Sequence, residues 1–270
     1  MKNRISFTCT CARSYETIMS FKPLFKEGFG GIEIFYPYDM DKERIDSYTK
    51  AITDLLDGEA GIVRIMHLPY GRSSDLAKDD DKEYSDIVYK RYFDAIDYAK
   101  KFDVDRFTLH LGTRITGNYD KLITKIQGLC DYAYPRMIMV ENMPCDIEYG
   151  AYEDELDDIF KKVNRSNLKL IYDTGHGHVA MKSTTLEKKL LDDYKDRLYH
   201  FHINDNDSSA DKHVRIGDGN IEFEKLFKDL KKNGYDQMFS LEILYNTVDD
   251  LRDYAASLIE ILKKVGLLYE

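Results

Sequence analysis

Tryptophan is absent from these 270 residues, proline occurs only five times and cysteine only four times. No run of about 18 apolar residues appears, which excludes a membrane-spanning helix. The cysteines (Cys9, Cys11, Cys130 and Cys145) are unevenly spaced and form no C-x-x-C pair, so neither a disulfide framework nor a cysteine-type structural zinc site is expected. They read as small buried hydrophobes, with Cys9 and Cys11 on one face of a predicted strand. Basic charge is in deficit: 39 Lys and Arg against 49 Asp and Glu leave a net charge of −10, poorly suited to the phosphate attraction that nucleic-acid binders use. The N-terminal MKNRISFTCT lacks the apolar core of a signal peptide, so a cytoplasmic location is expected. Without a Pro/Gly-rich linker or low-complexity tract, the chain reads as one domain over residues 1–270.

What the chain does have is alternation. Eight short β-rich apolar runs recur: ISFTCT near 5, GIEIFY near 31, IVRIMHL near 62, RFTLHL near 106, RMIMVEN near 136, LKLIYD near 168, LYHFHIN near 198 and MFSLEIL near 238. Amphipathic helical stretches lie between them, including EYSDIVYKRYFDAIDYAKKF and TLEKKLLDDYKDR, and the chain closes on VDDLRDYAASLIEILKKVG. Strand-helix alternation implies right-handed crossovers and a parallel sheet. Eight units in this length predict an α/β fold, a single (β/α)8 TIM barrel, ahead of an open doubly wound sheet. Such barrels build their sites at the C-terminal ends of the strands, and a metal site is expected there.

Polar residues fall at those ends. His67, His110, His176, His178, His200, His202 and His213 all lie late in a predicted strand or in the loop after it, and none in a predicted helix. Glu141 follows RMIMV, Asp173 follows LKLIY, and Glu242 sits within MFSLEIL. Carboxylates ending apolar strands are costly unless paired, hydrogen-bonded or bound to metal. Imidazole with carboxylate suits a divalent ion, zinc or manganese first, with iron, cobalt and magnesium also admitted. His178 and Cys145 read as ordinary packing or loop residues, and His200 as a supporting residue one layer below His202 on the same strand face. Glu33 either touches substrate or supports the barrel. The segment GHGHVA fits a dinucleotide-binding spacing, but it follows the sixth strand and its histidines would obstruct a pyrophosphate.

Taken in order, GIEIF, MHLPYG, LHLG, VENMP, YDTGHGH, HFHINDND, DKHVRIGDGNIEF and SLEIL resemble the xylose isomerase-like TIM barrels, a group that includes ketose epimerases, sugar isomerases and trinuclear-zinc apurinic endonucleases. The resemblance to the epimerases implies one metal held by Glu141, Asp173, His202 and Glu242. It also implies that Glu141 and Glu242 remove and return a proton beside a sugar carbonyl through an ene-diolate, with His176 on a substrate oxygen. The expected activity is therefore a metal-dependent isomerase or epimerase acting on a sugar or sugar phosphate.

The resemblance to the endonucleases implies three zincs on His67, His110, Glu141, Asp173, His176, His202, Asp211, His213 and Glu242, and phosphodiester hydrolysis as the alternative. Against it, the loop PYGRSSDLAKDDDKEY offers Tyr70 and Arg72 and then turns acidic, which would repel a DNA backbone. The expected partner is a small carbohydrate, not nucleic acid or membrane; one to three ions are implied, and oligomeric state is left open. A non-catalytic metal-binding barrel is the third reading. Arg215, beside His213, is the candidate substrate contact; Asn142 and Asn204 are candidate supports at the barrel mouth. Gly217-Asp218-Gly219 before a helix reads as a tight turn, with a phosphate-binding role as the alternative.

Overall fold

The computed structural model describes residues 4–9, 12–181 and 194–268. All eight expected strands form: β1 (Ile5–Phe7), β2 (Gly31–Phe35), β3 (Val63–His67), β4 (Arg106–Leu109), β5 (Met137–Glu141), β6 (Leu168–Asp173), β7 (Leu198–Ile203) and β8 (Met238–Leu241). Every ladder is parallel, running β2 through β8 in chain order with β1 paired to β8. The β1–β2 seam is closed by a bridge between Thr8 and Glu33, with Gly30 N donating to Ile5 O at 2.8 Å and Cys9 N to Glu33 O at 2.9 Å. The result is the (β/α)8 barrel expected from the alternation.

Side chains alternate across each strand, so residues two apart share the barrel interior. Ile65, Met139 and Ile171, all fully buried, form an apolar layer inside it. Two residues further along the same strands come His67, Glu141 and Asp173, which places that polar layer toward the C-terminal mouth. Thus the apolar layer floors the site.

The outer helices among the described residues are α1 (Tyr15–Met19), α2 (Lys22–Lys26), α3 (Lys42–Leu56), α4 (Lys82–Tyr98), α5 (Tyr119–Ala133), α6 (Glu153–Val163), α7 (Thr174–Met181), α8 (Phe223–Lys232) and α9 (Val248–Val265). Their inward faces follow helical spacing. On α8, Phe223, Leu226, Phe227 and Leu230 are buried, each worth about 1.5–3 kcal/mol when withdrawn from water. Starts are set by side-chain caps from Asp41, Asp81 and Asn118, and α9 opens on a capping box between Thr247 and Asp250. No described helix is long and apolar enough to cross a membrane.

Two expectations change. His176 and His178 lie inside helix α7, not in a loop. This helix has no amphipathic repeat to betray it; it begins because the Asp173 carboxylate accepts the His176 N–H at 2.7 Å, in the manner of an N-cap, directly after β6 ends. Glu242 falls just beyond β8 instead of within it. Cys11 and most of TLEKKLLDDYKDR lie outside the described residues.

Candidate metal centre

Glu141 ends β5, Asp173 ends β6, His202 is the penultimate residue of β7, and Glu242 follows β8. These four bring one potential ligand atom each to within 4.8 Å of one another. His202 Nδ1 faces Glu141 Oε1 at 2.7 Å and Glu242 Oε2 at 2.8 Å. A single ring nitrogen carries at most one proton, so two carboxylates converging on it leave negative charge unmatched. Glu141 Oε2 has no hydrogen-bond partner among the described residues, although His110 Nε2 stands 2.9 Å away. Surplus carboxylate charge and an N,O donor set are the features a divalent cation would satisfy.

Two further groups flank this one. His67, His110 and Glu141 form the first; His176, Asp211 and His213 form the second, with His176 Nε2 at 3.2 Å and His213 Nε2 at 3.0 Å from Asp211 Oδ2. Backbone carbonyls orient three of these rings: Leu68 O lies 2.8 Å from His67 Nδ1, Asn142 O 2.8 Å from His176 Nδ1, and Glu242 O 2.8 Å from His213 Nδ1. Each ring therefore turns its Nε2 away from that anchor. Phe35 stacks on His67 with centroids 5.0 Å apart, and the Tyr70 ring stands 4.6 Å from His67 and 5.1 Å from His110.

The two asparagines act as supports. Asn204 Nδ2 donates to Asp173 Oδ2 at 2.6 Å, while Asn142 accepts from Asp173 N at 2.7 Å and donates to Asp173 O at 3.0 Å. A Cβ on Gly175 would collide with Asn204 Oδ1, and one on Gly177 with the Tyr172 hydroxyl. The glycines of GHGH are thus required by close packing of α7, which accounts for the dinucleotide-like spacing without a nucleotide. The glycine turn at 217–219 is likewise accounted for: the Asp205 carboxylate accepts from Gly217 N at 2.9 Å, Gly219 N at 3.2 Å and Ile221 N at 3.2 Å. Those amides are already used.

Electrostatics follow from burial and convergence. Burial pushes the Asp173 carboxyl up to about 7. Burial opposes charge on His202 and His176, yet the carboxylates around them raise both well above the ordinary histidine value. Burial also works against Glu242, but His202 holds it down at about 2. His67, buried and beside His110, is shifted downward. A cation binding here takes carboxylates and unprotonated nitrogens, so it displaces protons from Asp173 and His202. Zinc affinity is expected to rise with pH between 6 and 8. Titration calorimetry at pH 7 in buffers of different ionisation enthalpy should show more than one proton released per ion; no release would contradict this charge state.

Above the centre opens a cavity of about 340 Å³. His67, His110, Glu148, His176, Asp211, His213 and Glu242 supply its polar wall, and Tyr70, Met143, Pro144, Ile243 and Leu244 much of its apolar wall. Arg215 is not among the lining residues: its guanidinium sits over the Tyr254 ring at 6.0 Å, outside the cavity. His178 pairs with Asn220 at 2.6 Å, and Cys145 donates to Glu148 at 3.4 Å, in keeping with the ordinary roles expected of both. Glu33, left undecided by sequence, lies within the polar cluster, 2.7 Å from His202 Nε2. A carboxylate in the apolar run GIEIF was its only signal.

A family profile described as xylose isomerase-like TIM barrel matches residues 21–265. The uncharacterized protein MJ1311 of Methanocaldococcus jannaschii is 30% identical over 159 residues, which span 55% of this chain and 54% of that relative, about half its length. A D-tagatose 3-epimerase-like protein superposes with a TM-score of 0.78 at 22% identity, covering 98% of both chains. The IOLI protein, solved with a binding zinc atom, superposes at 0.71 with 16% identity, over 98% of this chain and 97% of that one. Likeness at such identity establishes the fold.

Proposed function

Because the chain belongs to the xylose isomerase-like TIM barrel family, we propose that it is a divalent-metal-dependent isomerase or epimerase that moves a proton beside the carbonyl of a small sugar. The observation that carries this reading is the convergence of Glu141 and Glu242 on one nitrogen of His202, with Asp173 in the same group. Four such donors suit one zinc or manganese ion held by Glu141, Asp173, His202 and Glu242. When bound, the ion supplies Lewis-acid stabilisation of negative charge on the sugar's oxygens.

The chain's own groups do the rest. One of Glu141 and Glu242 takes the proton from the carbon next to the carbonyl, and the other delivers a proton to it or to its neighbour; the substrate gains and loses one proton overall. Glu242, which lines the cavity, is the better placed base. His176 holds a substrate oxygen at the rim. A cavity of about 340 Å³ is of monosaccharide size, and the Tyr70, Met143 and Pro144 wall offers an apolar surface to the sugar's C–H groups. No Lys or Arg among the described residues lines it, and the amides of the glycine turn are occupied by Asp205, which favours an unphosphorylated sugar over a phosphate ester.

A specific observation supports a second reading. The flanking groups His67–His110–Glu141 and His176–Asp211–His213 have the composition of two further cation sites, as a three-metal phosphodiesterase would require. The net charge of −10 weighs against a DNA substrate. Elemental analysis of protein purified without chelator separates the two readings: one ion per chain and no cleavage of an abasic duplex are expected. Under that expectation His67→Ala and His110→Ala keep the count at one. Three ions, falling on either substitution, together with abasic cleavage would replace the epimerase reading.

A further inference from the structure

The proton-transfer scheme leaves one buried carboxylate without a task. Glu33, in the middle of β2, has no exposed surface. Its Oε2 lies 2.7 Å from His202 Nε2, and its Oε1 accepts the Thr108 hydroxyl at 2.6 Å. Its backbone carbonyl accepts Cys9 N across the β1–β2 seam, so the residue is fixed at both main chain and side chain. On the far side of the same imidazole, Nδ1 faces Glu141 and Glu242.

Carboxylates can only accept, so with Glu33 at Nε2 and Glu141 and Glu242 at Nδ1 the metal-free ring carries a proton on each nitrogen; when a cation displaces the Nδ1 proton, Glu33 keeps the other at Nε2 and the Nδ1 lone pair is directed at the Glu141–Glu242 side. Thr108 holds the other Glu33 oxygen and so sets the plane of the pair. We infer that Glu33 is a positioning residue: through His202 Nε2–H it selects the tautomer and ring orientation in which Nδ1 binds the cation, and its charge strengthens that nitrogen as a donor. The inference rests on the metal-dependent reading above.

The neighbouring His200 supplies the rival account. It is fully buried, neither of its ring nitrogens has a hydrogen-bond partner among the described residues, and Glu33, His200 and His202 can each bring a ligand atom within 4.8 Å of the others. A cation seated there would need Nε2 of His202, the atom that Glu33 already holds.

Cobalt(II) is the probe, because its visible spectrum reports donor geometry while titration reports affinity and count. Glu33→Gln keeps the shape and an accepting oxygen but removes the charge; the expected result is an affinity weaker by about 10-fold, with the cobalt bands shifted and the stoichiometry unchanged. Glu33→Leu, which removes the acceptor, should lose about 100-fold. Thr108→Val, a near-isosteric change distant from the ion, should weaken binding in the same direction by a smaller factor, and serves if the Glu33 variants fail to fold. Variants that match the wild type in affinity and spectrum would overturn the role of Glu33 alone. A stoichiometry lower by one, with the remaining site unaltered, would overturn it in favour of Glu33 as a ligand of a separate ion. A wild type that takes up no cobalt or zinc would overturn the metal-dependent reading and this inference with it.

Discussion

Glu242→Gln is expected to lower turnover of the sugar substrate by about 10²–10⁴-fold, the range that a positioned general acid or base contributes. Glutamine has nearly the same shape and keeps a carbonyl oxygen toward His202 Nδ1, which Glu242 Oε2 meets at 2.8 Å. It cannot accept the substrate proton. In the metal-free protein His202 outweighs burial and holds the Glu242 carboxyl near 2, and a bound cation would take over that task, so the base is ionised throughout the neutral range in either state. The decisive measurement is deuterium wash-in, followed by NMR across a panel of ketoses in D₂O, on protein whose bound cation has been quantified. Loss of exchange with the ion retained supports proton transfer by Glu242. Exchange at the wild-type rate in the variant would remove it from that role and return attention to Glu141.

His202→Leu should be the most destabilising single change at the site, by about 3–5 kcal/mol in chelator-treated protein, because it strands buried carboxylates without their cationic partner. Glu33, Glu141 and Glu242 all contact this one ring, at 2.7, 2.7 and 2.8 Å. For a chain of this size the melting temperature should fall on the order of 10 °C. Chelator is essential to the comparison, since an ion bound only by the folded wild type would add its own stabilisation. The pH dependence has a definite sign. His202 has a folded-state value raised above 6.5, so its contribution is fully present below the unfolded value and is lost as pH rises through the folded one. The gap between wild type and variant should therefore be larger at pH 6 than at high pH. Equal denaturant midpoints for the two proteins at pH 6 would show that the carboxylates are neutralised in some other way.

The barrel was legible because its signals are local. Each strand is a short, nearly continuous apolar run buried on both faces, and each described helix that packs by an amphipathic face, such as α8 with Phe223, Leu226, Phe227 and Leu230, has a period near four. Glu141, Asp173 and His202 stood out for a related reason: they are polar where an apolar strand ends, and in this architecture strand ends share one mouth. Helix α7 was illegible by the same logic. Its glycines are unfavourable helix formers in isolation and are required by Asn204 and Tyr172, while its start depends on the Asp173 side chain. Arg215 looked like a substrate contact because it neighbours His213 in the chain, yet a loop residue's direction depends on what packs beside it, here Tyr254.

By itself, then, the sequence determined the eight-fold alternation, the residue types gathered at the barrel mouth and the acidic balance of the whole, all of which are properties of spacing and composition. Tertiary structure decided the partnerships: Glu33 with His202 across 169 positions, Glu141 with Glu242 on a single nitrogen, and Asp205 with the glycine turn. The reason is physical. Periodicity reports which face a residue presents, but the match of one buried donor to one buried acceptor depends on strand register and barrel closure, which bring together atoms that no local pattern relates.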